Sequence, residues 1–170
     1  MKTVVELKRI SPDAVPKALE LGERYRLLNE PEQAESIARD VLEVEPENQQ
    51  ALVVLLLSIT DQFHDDLGDG VRRAREVLPR LKDEYKRAYY AGIICERRAK
   101  VQRWQSIPGS GSMAYDSFVE AMEWYEKAEA MRPAGNDEAI LRWNTCARML
   151  DSDPHLRPRP VEQYEPVLED

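Results

Sequence analysis

The sequence predicts an all-α protein built from paired helices, and two observations carry that prediction. Apolar residues recur at helical spacing in several segments, each bounded by a proline or by a residue that caps helices well. The chain also repeats a spacing. Counted from Ala34, the residues at offsets 4, 7 and 12 are Ala38, Val41 and Pro46. Counted from Ala121, the residues at those offsets are Tyr125, Ala128 and Pro133. An internal echo of this kind indicates stacked helical repeats.

Residues 18–46 hold the clearest single unit. Within them lie Leu21-Gly22 and then, at fixed offsets further along the chain, Tyr25, Ala34 and Pro46. This pattern resembles the tetratricopeptide repeat (TPR), a helix pair of about 34 residues. In such a pair the glycine lets the two helices approach closely, with the tyrosine filling the space beside it and the alanine facing it. Three positions depart from the repeat, namely Ala18, Ala38 and Val41.

The elements are predicted in order from their caps and prolines. The first unit has helices over residues 13–28, with Asp13 as N-cap, and 31–44, beginning at Pro31. The second has a helix over 46–63, a long loop over 64–70 and a short helix that Pro79 interrupts. The third has a helix from Asp83 to Gln105, a flexible insertion over 106–112 and a helix over 113–131. A seventh helix begins at Asn136 and ends near Leu150.

The TPR resemblance covers residues 14–150. It implies a right-handed α-α superhelix, or solenoid, of about three helix pairs closed by a capping helix. Residues 1–13 are predicted to be an N-terminal extension. Residues 151–170 are predicted to be an acidic, proline-rich tail without regular structure.

Composition limits the classes of function. The formal net charge is −8, which disfavours non-specific binding to nucleic acid. No apolar run approaches the roughly 20 residues of a membrane span, so no membrane association is expected. Cys95 and Cys146 lie within apolar helical patterns, which is typical of reduced packing residues. We therefore expect a cytoplasmic protein.

Catalytic and metal-binding patterns were sought as well. The chain has two histidines, His64 and His155, both in predicted loop or tail, and it has no zinc-ligand spacing and no phosphate-binding glycine loop. We expect no enzymatic activity and no cofactor. Residues 65–76 match a calcium loop at Asp65, Asp69, Gly70 and Glu76, but Leu67 and Arg73 stand where oxygen ligands are needed. An acidic turn in which Asp66 or Asp69 caps the next helix is the favoured interpretation.

The resemblance implies a ligand groove lined by the first helix of each pair. The positions that match are Leu19, Glu23 and Arg26 in the first unit, Val53, Leu57 and Thr60 in the second, and Lys86, Tyr89, Tyr90, Ile93, Arg97 and Lys100 in the third. The third set mixes aromatic, aliphatic and basic residues, which suits a peptide with apolar and acidic side chains. The alternative is that the tyrosines belong partly to the core and the basic residues form a solvated face. Leu19 and Glu23 replace the Lys and Asn with which some TPR proteins clamp a terminal carboxylate, so that function is not expected.

Two hypotheses on function follow. The first is a non-enzymatic interaction module that binds a peptide segment of another protein in the groove. The second is a structural, self-associating protein whose groove is filled by its own tail or by a second copy in a homodimer. Residues 163–170 support the second, because Tyr164, Val167 and Leu168 lie among acidic residues and so complement the basic strip.

Overall fold

The structure is a computed structural model, and it describes residues 5–161. Those residues form seven α-helices and no strand, so the prediction of an all-α protein is confirmed for this part of the chain. The helices are α1 (Val15–Leu27), α2 (Pro31–Val44), α3 (Gln49–Thr60), α4 (Leu67–Val77), α5 (Glu84–Arg103), α6 (Ser110–Ala130) and α7 (Glu138–Ser152). Short 3₁₀ turns at Pro12–Ala14 and Leu78–Arg80 precede α1 and follow α4.

The first helix pair follows its local signals closely. Pro31 is the first residue of α2, as predicted, and Asn29 in the turn before it has a left-handed backbone with φ of 61°. The predicted N-cap was wrong. Asp13 lies inside the 3₁₀ turn, and the N-cap of α1 is Ala14. Pro16 still falls in the first turn, where its missing N–H costs no helical hydrogen bond.

The second helix pair is joined by a shorter loop than predicted. Asp66 is the N-cap of α4, and its Oδ1 accepts a hydrogen bond from the backbone N–H of Asp69 at 3.1 Å. The helix therefore begins at Leu67, inside the predicted loop over residues 64–70. Phe63 lies in the turn after α3 rather than in the helix. Pro79 lies in the 3₁₀ turn that ends α4, in agreement with the expected interruption.

The third unit is the longest. Asp83 caps α5 by accepting a hydrogen bond from the N–H of Lys86 at 3.1 Å, as predicted. The insertion predicted over residues 106–112 is shorter, because α6 already begins at Ser110. Ser110 and Gly111 are buried, and a Cβ atom on Gly111 would lie 2.3 Å from the carbonyl oxygen of His155. A contact with the C-terminal segment therefore holds the start of this helix.

Successive helices pack against each other, and ion pairs join alternate ones. Among the odd-numbered helices, Arg26 of α1 and Arg97 of α5 both bind Asp61 at the end of α3. Among the even-numbered helices, Arg73 of α4 lies 2.6 Å from Glu35 of α2. The core consists of one apolar cluster mainly in α1–α4, which Ile94 of α5 joins, and a second mainly in α5–α7. Leu57 and Tyr90 pack against both.

Gly22, which was predicted at a tight helix crossing, and Gly92 both lie at close approaches between helices. A Cβ atom on Gly22 would be 3.3 Å from Val54 Cγ1 and 3.5 Å from Ile37 Cγ2. These side chains, rather than the predicted Ala34, are its nearest neighbours. A Cβ atom on Gly92 would be only 2.5 Å from Tyr125 Cε1.

The C-terminal segment packs beyond the predicted domain boundary at residue 150. Helix α7 ends at Ser152, and Leu156 is 1% exposed within the core of α5–α7. Arg103 Nε donates to Asp153 Oδ2 at 2.7 Å, which fixes the end of α7 to the end of α5. The predicted docking segment, residues 163–170, lies outside the described residues.

Within residues 5–161, none of the helices has the length and apolarity that crossing a bilayer requires.

Candidate binding face

The residues predicted to line a groove lie on α1, α3 and α5, and they differ widely in exposure. Glu23 and Lys86 are exposed. The partly exposed residues are Arg26, Val53, Leu57, Tyr90, Arg97 and Lys100. The buried ones are Leu19, Thr60, Tyr89 and Ile93. Ile93 is 1% exposed, so its side chain belongs to the core and is not available to a ligand. We call the exposed and partly exposed set, together with Asp61, the odd-helix face.

Asp61 ties this face together. Its Oδ2 accepts a hydrogen bond from Arg26 Nε at 2.8 Å, and its Oδ1 accepts one from the Arg97 guanidinium. The three side chains are between 17% and 26% exposed. Because charge-assisted hydrogen bonds are short and directional, this shared carboxylate fixes the two guanidinium groups in position. Sequence reasoning found both arginines and missed the aspartate, which lies four residues after Leu57 and so shares its side of the helix.

A cavity of about 320 Å³ opens beside this trio, and we call it the Asp61 cleft. Its polar and charged lining comprises Arg26, Asn29, Thr60, Asp61, His64, Arg97 and Lys100. Phe63 and Val101 supply apolar walls. The cleft therefore brings together residues from α1, from the end of α3, from α5 and from the turns that follow α1 and α3.

Lys100 connects the cleft to a buried carboxylate. Glu96 is 0% exposed, and its Oε2 accepts hydrogen bonds from Lys100 Nζ at 2.9 Å and from Arg142 at 3.0 Å. Its Oε1 accepts one from the Tyr125 hydroxyl at 3.2 Å and a weaker one from Cys146 Sγ at 3.5 Å. We call these five residues the Glu96 cluster. They join α5, α6 and α7, and both oxygens of the buried carboxylate have partners, as a buried charge requires.

The linked ion pairs around Asp61 and Glu96 carry an excess of positive charge. Arg26, Arg97, Lys100 and Arg142 are four cations, and Asp61 and Glu96 are the two carboxylates that they contact. This excess contrasts with the formal net charge of −8 for the whole chain. An anionic group that approaches the chain is therefore attracted to the odd-helix face and repelled by much of the remaining surface.

The tyrosines of α5 contribute less surface than the sequence predicts. Tyr89 is 9% exposed, and its ring stacks edge-on against Tyr90 at 5.1 Å between centroids. Burial raises the pKa of Tyr90 to about 12 and also raises the pKa of Tyr89. These rings are consequently neutral at physiological pH, and Tyr90 is the one that remains partly accessible. The two interpretations drawn from the sequence thus apply to different residues of α5. Tyr89 belongs to the core, and Tyr90 keeps some exposed surface.

A second cavity extends the odd-helix face toward α7. It measures about 310 Å³ and lies between Tyr89 and the α7 residues Glu138, Leu141, Arg142 and Thr145. Leu141 is 64% exposed. Sequence reasoning assigned no ligand contact to this helix, although the spacing of Arg142 and Cys146 places both on one side.

The other cavities and acidic groups are less suited to form a binding site. A larger cavity of about 590 Å³ lies at the turns after α1 and α3, but Glu30, Glu32 and Asp65 make its rim acidic. In the calcium-like segment, the carboxylates of Asp69 and Glu76 both pair with Arg72. Within residues 5–161 there is no group of three or more side chains placed to hold a metal ion.

Comparison with known proteins gives no relative from which to transfer a function. No protein-family model, curated protein or solved structure matches the chain.

Proposed function

We propose that the chain is a TPR-like interaction module that binds a peptide segment of another protein across the odd-helix face, without catalysis. The observation that carries the proposal is the arrangement around Asp61. Side chains from three helices meet there beside an open cleft, and their basic groups are held in place before a ligand arrives. Preorganised side chains reduce the entropy lost on binding.

The solenoid arrangement is part of the same proposal. It is supported by the ion pairs that join α1, α3 and α5 on one side and by the Glu35–Arg73 pair that joins α2 and α4 on the other. Alternate helices of a stacked repeat are neighbours in this way. A cytoplasmic location is also proposed, and the two buried free cysteines support it.

The partner peptide has acidic residues near aliphatic ones. Acidic groups suit the cations of the Asp61 cleft, and aliphatic side chains suit the partly exposed Val53, Leu57 and Tyr90 on the same face. Electrostatic complementarity of this kind mainly governs association rate and specificity. The chain's own acidity disfavours nucleic acid as the partner.

Self-association is the second candidate. The pair between Arg103 and Asp153 and the burial of Leu156 place the start of the C-terminal tail beside the end of α5 that carries Arg97 and Lys100. A tail that begins there can occupy the face in the same chain or in a second copy, which would make a homodimer.

Selection from a random peptide display library against the full chain tests the leading proposal. We expect enrichment of peptides that combine acidic and aliphatic residues, with binding lost in the Arg97→Glu variant. The matched control is Arg39→Glu on α2, where the same charge change is made at a side chain that is 58% exposed. Absence of any enriched sequence, or equal loss in both variants, would contradict the proposal.

A further inference from the structure

We infer that the Asp61 cleft binds a phosphoryl group carried on the partner peptide, so that phosphorylation of the partner strengthens binding. The inference rests on the proposed function, because the peptide that presents the phosphate lies across the same odd-helix face. It goes further by assigning the cleft a chemical class of ligand that a general preference for acidic peptides does not specify.

The lining of the cleft is rich in hydrogen-bond donors. Arg26, Asn29, His64, Arg97 and Lys100 all carry side-chain N–H groups, and Asp61 is the single carboxylate among the lining residues. The donors come from α1, from the turns after α1 and α3, and from α5. Convergent donors from separate segments are what a tetrahedral anion with several oxygens requires.

The two guanidinium groups keep donors for a ligand. An arginine side chain has about five N–H donors. Within the described residues, Arg26 uses Nε and Arg97 uses one terminal nitrogen, both on Asp61. The remaining N–H groups of two fixed, planar guanidiniums can bind phosphate oxygens in a bidentate manner. Asp61 thus acts as a positioning residue for this pair.

Charge favours a phosphoryl group over a single carboxylate. Arg26 and Arg97 pair with Asp61, and Lys100 and Arg142 pair with the buried Glu96, so these linked groups beside the cleft carry an excess of two positive charges. A phosphorylated side chain carries about −1.5 to −2 charge at neutral pH and three acceptor oxygens. A carboxylate carries one negative charge and would neutralise only half of that excess. Glu23 lies one turn before Arg26, but its carboxylate accepts a hydrogen bond from Gln50 at 3.0 Å and does not line the cleft.

The test is an NMR titration of the full chain with four probes. They are N-acetyl-O-phosphoserine amide, N-acetyl-glutamate amide, AMP and acetate. We expect the phosphoserine probe to bind at least about tenfold more tightly than the glutamate probe and acetate, because doubly charged acceptors form stronger charge-assisted hydrogen bonds. Equal affinities for these probes would overturn the inference. Markedly tighter binding of AMP than of phosphoserine would overturn the assignment to a peptide.

Variants locate the site. Arg26→Gln combined with Arg97→Gln should abolish the preference for phosphoserine, and Arg39→Gln should leave it unchanged. Because the double variant leaves Asp61 without its partners, Lys100→Gln serves as a second variant that keeps both Asp61 pairs intact. A preference that survives in all the cleft variants would contradict the inference. A chain that binds acidic peptides but does not distinguish phosphoserine from glutamate would keep the proposed function and lose this inference alone.

Discussion

The ring of Tyr125 lies directly against the backbone of Gly92: a Cβ atom on Gly92 would be 2.5 Å from Tyr125 Cε1. The tyrosine side chain is fully buried and cannot move aside without disturbing the core of α5–α7. Interiors packed to this density resist added volume. The contact therefore makes Gly92 a requirement of the α5–α6 packing.

We predict that Gly92→Ala lowers the free energy of unfolding by roughly 1–3 kcal/mol or more, through overpacking. Urea denaturation of the two proteins measures this. Gly68→Ala on α4 is the matched control, because its nearest neighbour would be Asp66 Oδ1 at 3.9 Å. There the gain in helix propensity should leave stability unchanged or raise it by up to about 1 kcal/mol. Equal effects of the two substitutions would contradict the packing described for α5 and α6.

The Glu96 cluster gives a second prediction. Glu96→Gln removes a fully buried charge that two cations share, and removal of one partner from a buried ion pair typically costs roughly 3–5 kcal/mol. Lys100 and Arg142 are 38% and 34% exposed, so water moderates the loss and the lower end of that range is expected. The control is Glu129→Gln, whose carboxylate lies 3.9 Å from Arg132 on the surface and should contribute about 0–1 kcal/mol. A Glu96→Gln variant as stable as the control would show that the cluster does not hold α7 in place.

Alkaline pH should destabilise the fold. Burial raises the pKa of the Cys95 thiol to about 12, and burial likewise raises the pKa of Cys146 and Tyr125. In the unfolded chain thiols ionise near pH 8.5 and phenols near about 10. Between about pH 9 and 12 the unfolded chain loses protons that the folded chain keeps, so stability falls as pH rises.

The urea midpoint measured from about pH 7.5 to 10.5 checks this prediction. Replacing both cysteines with alanine should remove the part of the decline that begins near pH 9 and leave the part due to tyrosine. A midpoint that is constant or increases over this range would contradict the burial of these groups.

A further prediction concerns the tail. We predict that a chain lacking residues 160–170 binds the peptide VEQYEPVLED, and that binding weakens with added salt and with Arg97→Glu. The fourteen residues after Leu156 can span about 43 Å at 3.1 Å per residue, whereas α5 is about 30 Å long at 1.5 Å per residue. The tail is therefore long enough to extend along the whole of α5. Isothermal titration calorimetry measures the affinity, and a lack of binding at millimolar peptide would rule out tail docking.

Local signals predicted most of the fold. Pro31 acts through its own backbone preference and Asp83 through a neighbouring N–H group, so sequence alone located both helix starts correctly. The start of α6 was predicted wrongly because Ser110-Gly111-Ser112 has the composition of a flexible loop. A contact between Gly111 and His155, 44 residues apart by their numbering, decides that conformation. Such a distant contact cannot be predicted from local composition.

The candidate site likewise contains residues that the sequence located and others whose role only the packing of the helices reveals. The positions implied by the TPR resemblance included Arg26, Arg97 and Lys100, which lie at the Asp61 cleft. Asp61 lies 35 and 36 residues from its two arginine partners, so only the packing of three helices reveals its role. The resemblance also implied a groove position for Ile93, but the packing of α5 against its neighbours buries that side chain in the core.

The most direct test of the account is to map where an enriched acidic peptide binds the ¹⁵N-labelled chain, by backbone amide chemical shifts. Binding across the odd-helix face predicts the largest shifts in α1, α3 and α5, concentrated around Arg26, Asp61 and Arg97. The Arg97→Glu variant should show none of these shifts at the same peptide concentration, and Arg39→Glu should show all of them. Shifts confined to α2, α4 and α6 would contradict the account.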